Sequence, residues 1–406
     1  MIETKTPRPL PYGRHCIDEA DIAAVVDVLR SDWLTTGPMV ERFESAFAAA
    51  VGAPHAVACA TGTAALHLAA MALRLGPNDQ VIVPSITFVA TANAVRFCGA
   101  EVVFADVESD SGLMGMEQLE AAYLRADKTR LKAVFPVHLA GQCAAPAEIY
   151  AWCAERGLKL VDDACHAIGT RYMHGNVEHR IGDGCHAIMS CFSLHPVKTV
   201  AMGEGGVVTT ASTELAEELR RLRGHGLVRD AAAFQNADLA FGPDGKANPW
   251  YYEMPDPSPN YRASDVACAL GYSQLGKLDG FIDRRQTLVA AYDARLPALA
   301  PHVLPPPRKP ASQVGWHLYP VVVDFDAIGV SRSEFMRRLL RRGVGSQVHY
   351  IPVHCQPYYQ QRYGLLDLPG ASRYYERTLS LPLFPAMSEA DVEFVVEQLA
   401  ETVSGH

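Results

Sequence analysis

The sequence predicts an α/β protein: a mostly parallel sheet with helices on both faces, followed by a smaller α+β domain. Three observations carry this. Short apolar, β-rich runs alternate with Ala- and Leu-rich helical patterns over residues 18–161, the signature of crossover units. The alternation stops after Leu227, and a mixed pattern of strands and helices resumes from Val303. At 406 residues the chain exceeds what one hydrophobic core usually serves, so two domains are expected.

The elements follow in order. Residues 1–14 hold three prolines and no apolar core region, so no signal peptide is expected there. Residues 18–30 read as a helix, led by acidic residues, with Ile22, Val25, Val26 and Leu29 on one face. A strand at 55–59 precedes a helix at 63–75, rich in the best helix formers. A strand at 81–84 precedes a helix at 90–97. Further strands are expected at 101–105, 133–137 and 159–161, with a helix at 147–156 between the last two. Residues 229–259 mix Pro, Gly, Asp, Asn and aromatics without a period, which predicts a long ordered excursion. Helices are expected over 264–295 and at 333–341 and 389–402, and strands at 317–324 and 344–350. The boundary falls between Asn260 and Arg285. Taken at its near end, it gives a large domain of 1–260 and a small one of 261–406.

Composition excludes several classes. The net charge of −9 argues against a nucleic-acid surface, although a helix N-terminus can still seat a phosphate. No run approaches a membrane span. The ten cysteines form no CxxC pair, which suits reduced thiols and a cytoplasmic location. No metal is expected: Cys165, His166, Cys185, His186 and Cys191 match no standard zinc spacing. A P-loop is absent, since Ala240 and Ala247 stand where Gly and Ser or Thr are required.

Four local features could carry chemistry. Ala60-Thr61-Gly62-Thr63-Ala64-Ala65-Leu66 lies between a strand and a helix, where Gly permits close approach and the helix end suits phosphate. Val161-Asp162-Asp163-Ala164-Cys165-His166 delivers carboxylates at the C-terminal end of a strand, the usual ligand edge of an open sheet. A buried carboxylate there could keep a pyridine nitrogen protonated. In the run Ser190 to Thr199, Lys198 lies among small and apolar residues before Gly203-Glu204-Gly205-Gly206. Restricted solvation can turn such an amine into a nucleophile for an aldehyde. Phe88, in Pro84-Ser85-Ile86-Thr87-Phe88, could stack on a flat ring. Each has a plainer reading when taken singly: a simple turn, capping aspartates, a surface lysine, a core aromatic.

Order and spacing join them. Thr61-Gly62-Thr63-Ala64-Ala65-Leu66, Pro84-Ser85-Ile86-Thr87-Phe88, Asp163-Ala164-Cys165-His166-Ala167, Phe192 through Lys198, Gly203-Glu204-Gly205-Gly206 and Asn260-Tyr261-Arg262 resemble the DegT/DnrJ/EryC1/StrS family of sugar aminotransferases. The likeness spans nearly the whole chain. His195-Pro196-Val197-Lys198, Asn248-Pro249-Trp250-Tyr251-Tyr252-Glu253-Met254 and Gln347-Val348-His349-Tyr350-Ile351-Pro352-Val353-His354 are most similar to its pseudaminic-acid branch.

The resemblance implies the fold type I of pyridoxal-phosphate (PLP) transferases, aspartate-aminotransferase-like. It also implies a division of labour. Lys198 would anchor PLP covalently, Asp163 would pair with the ring nitrogen, His166 would sit on the ring-hydroxyl side, and Phe88 would stack on the ring. Gly62, Thr63 and Ser193 would hold the phosphate. Asn260 would reach the phosphate of a partner subunit, giving a homodimer with shared active sites. Tyr12, Asp32, Trp33, Leu34, Thr35, Gln347, Val348, His349 and Tyr350 would bind the nucleotide-sugar. The implied substrate is UDP-2-acetamido-2,6-dideoxy-β-L-arabino-hexos-4-ulose, with L-glutamate as the expected amino donor. One branch of the family replaces the lysine by histidine and dehydrates sugars, so Lys198 favours transamination. Pro257-Ser258-Pro259 departs from the family's Gly and aromatic before Asn260 and stiffens that approach.

Overall fold

The structure, a computed structural model, describes residues 10–311 and 313–405, so residues 1–9 of the N-terminal stretch lie outside it. Two helices open the chain, α1 (Glu19–Leu29) and α2 (Pro38–Val51). The alternation then runs β1 (His55–Cys59), α3 (Gly62–Ala72), β2 (Gln80–Pro84), α4 (Val89–Phe97), β3 (Glu101–Ala105), α5 (Met116–Arg125), β4 (Leu131–Val134), α6 (Pro146–Glu155) and β5 (Lys159–Asp163). A hairpin, β6 (Arg171–His174) and β7 (Val177–Arg180), leads into β8 (Met189–Ser193), β9 (Gly206–Thr210) and α7 (Thr213–Leu222). After α8 (Ala237–Ala240) come α9 (Asp265–Leu275), α10 (Leu278–Arg295), β10 (Val303–Leu304), β11 (Tyr319–Val323), α11 (Phe325–Ile328) and α12 (Arg332–Arg341). The chain closes with α13 (Pro357–Tyr363), α14 (Pro369–Arg377), β12 (Thr378–Leu381) and α15 (Glu389–Ser404).

Seven strands form the main sheet in the order β1-β9-β8-β5-β4-β2-β3. The five from β8 to β3 run parallel, while β9 runs antiparallel to both β8 and β1. Two reversals cancel, so β1 points the same way as β8. The C-terminal ends of β1, β2, β5 and β8 therefore emerge on one edge, and β9 starts there. Gly206, the first residue of β9, pairs with Cys59 on one side and Ser193 on the other. β9 is buried along its length and β1, β2 and β5 along all but their first residue. That burial fits a sheet covered on both faces and explains their continuous apolar runs.

Two cores meet along α10. Leu278 and Ile282 pack with Phe43, Phe47, Phe192 and Cys268 under the sheet. From Leu288 onward the helix faces a second core with Tyr319, Phe335 and Leu399, built on the antiparallel sheet β10-β11-β12. A division at 260/261 would cut α9 from α1 and α2, against which it packs. The chain also returns to the main sheet, where Val353, Tyr359, Leu368 and Tyr374 join residues of β2 and β3 in a separate cluster.

Two expectations need correction. The apolar face assigned to residues 18–30 is not turned into the core: Ile22 and Leu29 are 48% and 56% exposed. Asp21 is inside instead, held by Lys277 Nζ and Gln274 Nε2, each 2.6 Å from its Oδ2. The charge and amide of α9 and its following turn thus orient α1 with its apolar stripe outward. Residues 344–350 form no strand. They make only isolated bridges, Leu10 to Val344 and Gln347 to Ser380, because the segment turns away from β12 to reach the main sheet's ligand edge. The 229–259 excursion is ordered as expected, with the Glu253 carboxylate accepting from the Gln235 and Asn236 N–H groups.

Candidate active site

The edge where β1, β2, β5 and β8 end opens into a cavity of about 650 Å³. Asp163, the last residue of β5, is 5% exposed. Its Oδ2 accepts a 2.6 Å hydrogen bond from Thr91 Oγ1, and its Oδ1 accepts from the Cys165 N–H at 3.1 Å. Thr91 lies in the first turn of α4 and is bonded in turn to Thr87 Oγ1 at 2.7 Å. The turn between β2 and α4 therefore aims the carboxylate.

Lys198 lies in the turn after β8, its N–H bonded to the His195 carbonyl at 2.8 Å. Burial pushes its amine below the ordinary lysine value, with Cys165 and Asp163 pulling weakly the other way. His166 is buried, and burial, with the Lys198 charge second, drives its ring well below the usual histidine range. Its Nδ1 accepts from the Ala140 N–H at 3.3 Å, which puts the proton on Nε2, 3.1 Å from Tyr350 Oη. His317 packs 4.5 Å from His166, ring to ring, and is driven down by the same two causes. Its Nδ1 is buried with no partner among the described residues. His349, bonded to Ser380 Oγ at 2.8 Å, is pushed down to about 3 by burial, then by Lys198.

The other end of the cavity is built to seat an anion. Thr61 caps α3, its hydroxyl taking the Ala64 N–H at 3.0 Å. The Gly62 and Thr63 N–H groups of that first turn have no intrahelical acceptor, and the helix dipole adds to their pull on an anion. A Cβ on Gly62 would stand 2.6 Å from Ser193 Cβ, and one on Gly206 2.2 Å from the Thr61 carbonyl oxygen. Three segments converge so closely that only glycine fits.

The residues present fit PLP: an anion seat, a buried carboxylate for a ring nitrogen, an amine, and Phe88, left 55% exposed at the cavity. Tyr12, Gln347, Val348, His349 and Tyr350 line the same space as Gly62, Thr63, Phe88, Asp163, His166, Ser193 and Lys198. Asp32, Trp33, Leu34, Thr35 and Asn260 do not; they are exposed elsewhere on this chain. The sequence reading missed Thr91 and His317. The Thr87 and Thr91 spacing of four, across a helix start beside a strand-end aspartate, was a usable signal. His317 had none, since only the tertiary fold brings it beside His166.

The DegT/DnrJ/EryC1/StrS aminotransferase family matches residues 15–400. The chain belongs to this family. Spore coat polysaccharide biosynthesis protein SpsC of Bacillus subtilis (strain 168) is 39% identical over 399 residues, covering 98% of this chain and 97% of that protein. Among solved structures, Helicobacter pylori PseC, an aminotransferase involved in pseudoaminic acid biosynthesis, superposes with a TM-score of 0.85 at 27% identity, covering 98% of this chain and all of that one. Spr1654 of Streptococcus pneumoniae, described as a sugar aminotransferase, matches in its PLP form with a TM-score of 0.84 at 27% identity, covering 98% and 99%. It is also known in a pyridoxamine-phosphate (PMP) form. This member of the DegT/DnrJ/EryC1/StrS family is thus a PLP-dependent sugar aminotransferase with the α/β fold of that enzyme class. Among the described residues no helix is long and apolar enough to cross a membrane.

Proposed function

We propose that the enzyme moves an amino group from L-glutamate to C4 of UDP-2-acetamido-2,6-dideoxy-β-L-arabino-hexos-4-ulose. The product is UDP-4-amino-4,6-dideoxy-N-acetyl-β-L-altrosamine, a pseudaminic-acid precursor. The observation that carries amine transfer is one cavity lined by the Lys198 amine, the Asp163 carboxylate and the α3 N-terminus. The choice of sugar rests on the likeness to PseC and on the motifs at 195–198, 248–254 and 347–354.

Bound PLP supplies an electron sink and carries the amine between the two half-reactions. Gly62, Thr63 and Ser193 seat its phosphate, and Asp163 keeps a proton on its ring nitrogen. Phe88 would cover the ring, and His166 would lie on its hydroxyl side, both lining the cavity. Lys198 would anchor the cofactor, and its free amine would take a proton from the donor Cα and later deliver one to sugar C4. Tyr12 and residues 347–350 grip the sugar nucleotide. Asn260 and residues 32–35 would complete the cavity of a second copy in a homodimer, consistent with their exposure away from their own.

The test is incubation of PLP-loaded enzyme with L-glutamate and this keto-sugar, followed by mass spectrometry. The amino-sugar nucleotide and 2-oxoglutarate should appear together; no amine transfer would reject the reading. The higher identity to SpsC favours a second reading, a different nucleotide-linked keto-sugar bound for a surface polysaccharide. Turnover of that sugar alone would select it.

A further inference from the structure

A second group of ligating side chains sits on the β6–β7 hairpin and the turn leading into β8. One ligating atom from each of His179, Asp183 and Cys185 lies within 4.8 Å of the others, and His179 Nδ1 is 3.1 Å from Asp183 Oδ2. Two more imidazoles crowd the same spot. The His186 ring is 4.7 Å from that of His179, and the His174 ring is 5.2 Å from that of His186. None of these residues lines the cavity of Lys198.

Asp183 has a structural role. It accepts from the Cys185 N–H at 2.8 Å and the Arg180 N–H at 3.2 Å, and so shapes the turn. That role does not require three imidazoles. Close packing of His174, His179 and His186 brings their ring nitrogens to one spot. Their shared property is a set of available lone pairs. His186 Nδ1 is 2.5 Å from Tyr172 Oη. With the proton on Nδ1 donated to Tyr172, Nε2 offers a lone pair, the arrangement that orients a histidine toward a metal.

We propose that His179, Asp183, Cys185 and His186 form a four-ligand site for a zinc-type divalent cation, with His174 at its rim. Two nitrogens, a thiolate and a carboxylate match zinc and not magnesium or calcium, which take oxygen ligands. Zinc bonds of about 2.0–2.3 Å put tetrahedral ligands roughly 3.3–3.8 Å apart. Closing to that spacing draws together His179, Asp183 and Cys185, now within 4.8 Å of one another, and brings in His186 as the fourth ligand by side-chain rotation. Binding releases the Cys185 thiol proton to solvent. The ion would fasten the hairpin to the turn that enters β8, the strand carrying Ser193. Of the residues weighed for zinc in the sequence, only Cys185 and His186 lie here. The inference is independent of the amine-transfer reading.

The experiment uses the full PLP-loaded chain, stripped with a chelator, titrated with zinc chloride and desalted before elemental analysis. One zinc per chain is expected. Cys185→Ser and His179→Ala should each weaken it at least about tenfold, while Cys355→Ser, at the other exposed thiol, should not. Cobalt in the same site should show the visible bands of a tetrahedral thiolate ion, lost in Cys185→Ser. Visible cofactor absorbance and far-UV circular dichroism check that each variant is folded. If His179→Ala misfolds, the conservative Cys185→Ser alone decides. Zinc well below one per chain, or zinc retained equally by folded Cys185→Ser, would overturn the proposal; the second result would place the ion elsewhere, such as at His166, His317 and His349.

Discussion

His349, buried near Lys198, makes the protein's stability depend on pH in a direction that can be worked out. Its folded value is about 3, against about 6.5 for a histidine in an unfolded chain. Between those values the unfolded chain binds a proton that the folded one refuses, so stability present above about 6.5 is lost as pH falls. From 6.5 to 5 one such histidine costs about 2 kcal/mol. Urea titrations of the cofactor-free protein should show this loss between about pH 7 and pH 5, and His349→Gln should flatten the slope. An unchanged slope would mean that this ring is not held neutral. Lys198→Ala should abolish turnover and the visible absorbance of bound PLP; an unaltered spectrum rules out that lysine as anchor. Thr91→Val removes the 2.6 Å bond to Asp163 and should cost about 1–3 kcal/mol of apo stability, with a larger loss in kcat than in cofactor affinity. Unchanged kcat would show that Asp163 keeps its aim without Thr91. Lys198 and Asp163 were legible in the sequence because each lies in a contiguous motif. Thr91 was marked only by its spacing of four from Thr87, since its bond to Asp163 spans 72 residues, and His317 meets His166 only through the tertiary fold, which no local pattern marks.

Among elements, the α3 N-terminus is the sharpest test. Gly62→Ala drives a methyl group into Ser193, 2.6 Å away, and should raise the PLP dissociation constant by about tenfold or more, roughly 1.4 kcal/mol. Equal cofactor binding would mean that the phosphate sits elsewhere. The alternation from β1 to β5 was legible because parallel strands buried on both faces read as plain apolar runs, and strand 101–105 matches its expected bounds. Two readings failed where tertiary contacts overruled pattern. The periodicity of α1 is real, but its apolar side faces outward because Asp21 is tied to Lys277 and Gln274. Residues 344–350 have strand-like composition but make only isolated bridges, to Leu10 and Ser380, since Gln347 to Tyr350 are drawn to the cavity.

On the scale of the whole molecule, the outward stripe of α1 continues through Trp33 and Leu34, both more than half exposed. A contiguous apolar stripe calls for a cover, and a second copy is the cover proposed above. Leu29→Glu combined with Trp33→Glu should convert a dimer into monomers on size-exclusion chromatography and reduce turnover. A wild-type chain that already runs as a monomer would refute the shared-site arrangement.

The position of β9 has a consequence for how the enzyme is born. The anion seat takes Gly62 from the start of α3, Ser193 from the end of β8 and Gly206 from the start of β9, which lies between β1 and β8. A ribosome therefore makes β1 long before the strand that will lie beside it. Until Thr210 has been synthesised, that edge of the sheet waits unpaired, a nonlocal closure that is slow by nature. Vitamin B6 capture belongs late in synthesis, and nascent chains truncated before that strand should fail to retain the coenzyme.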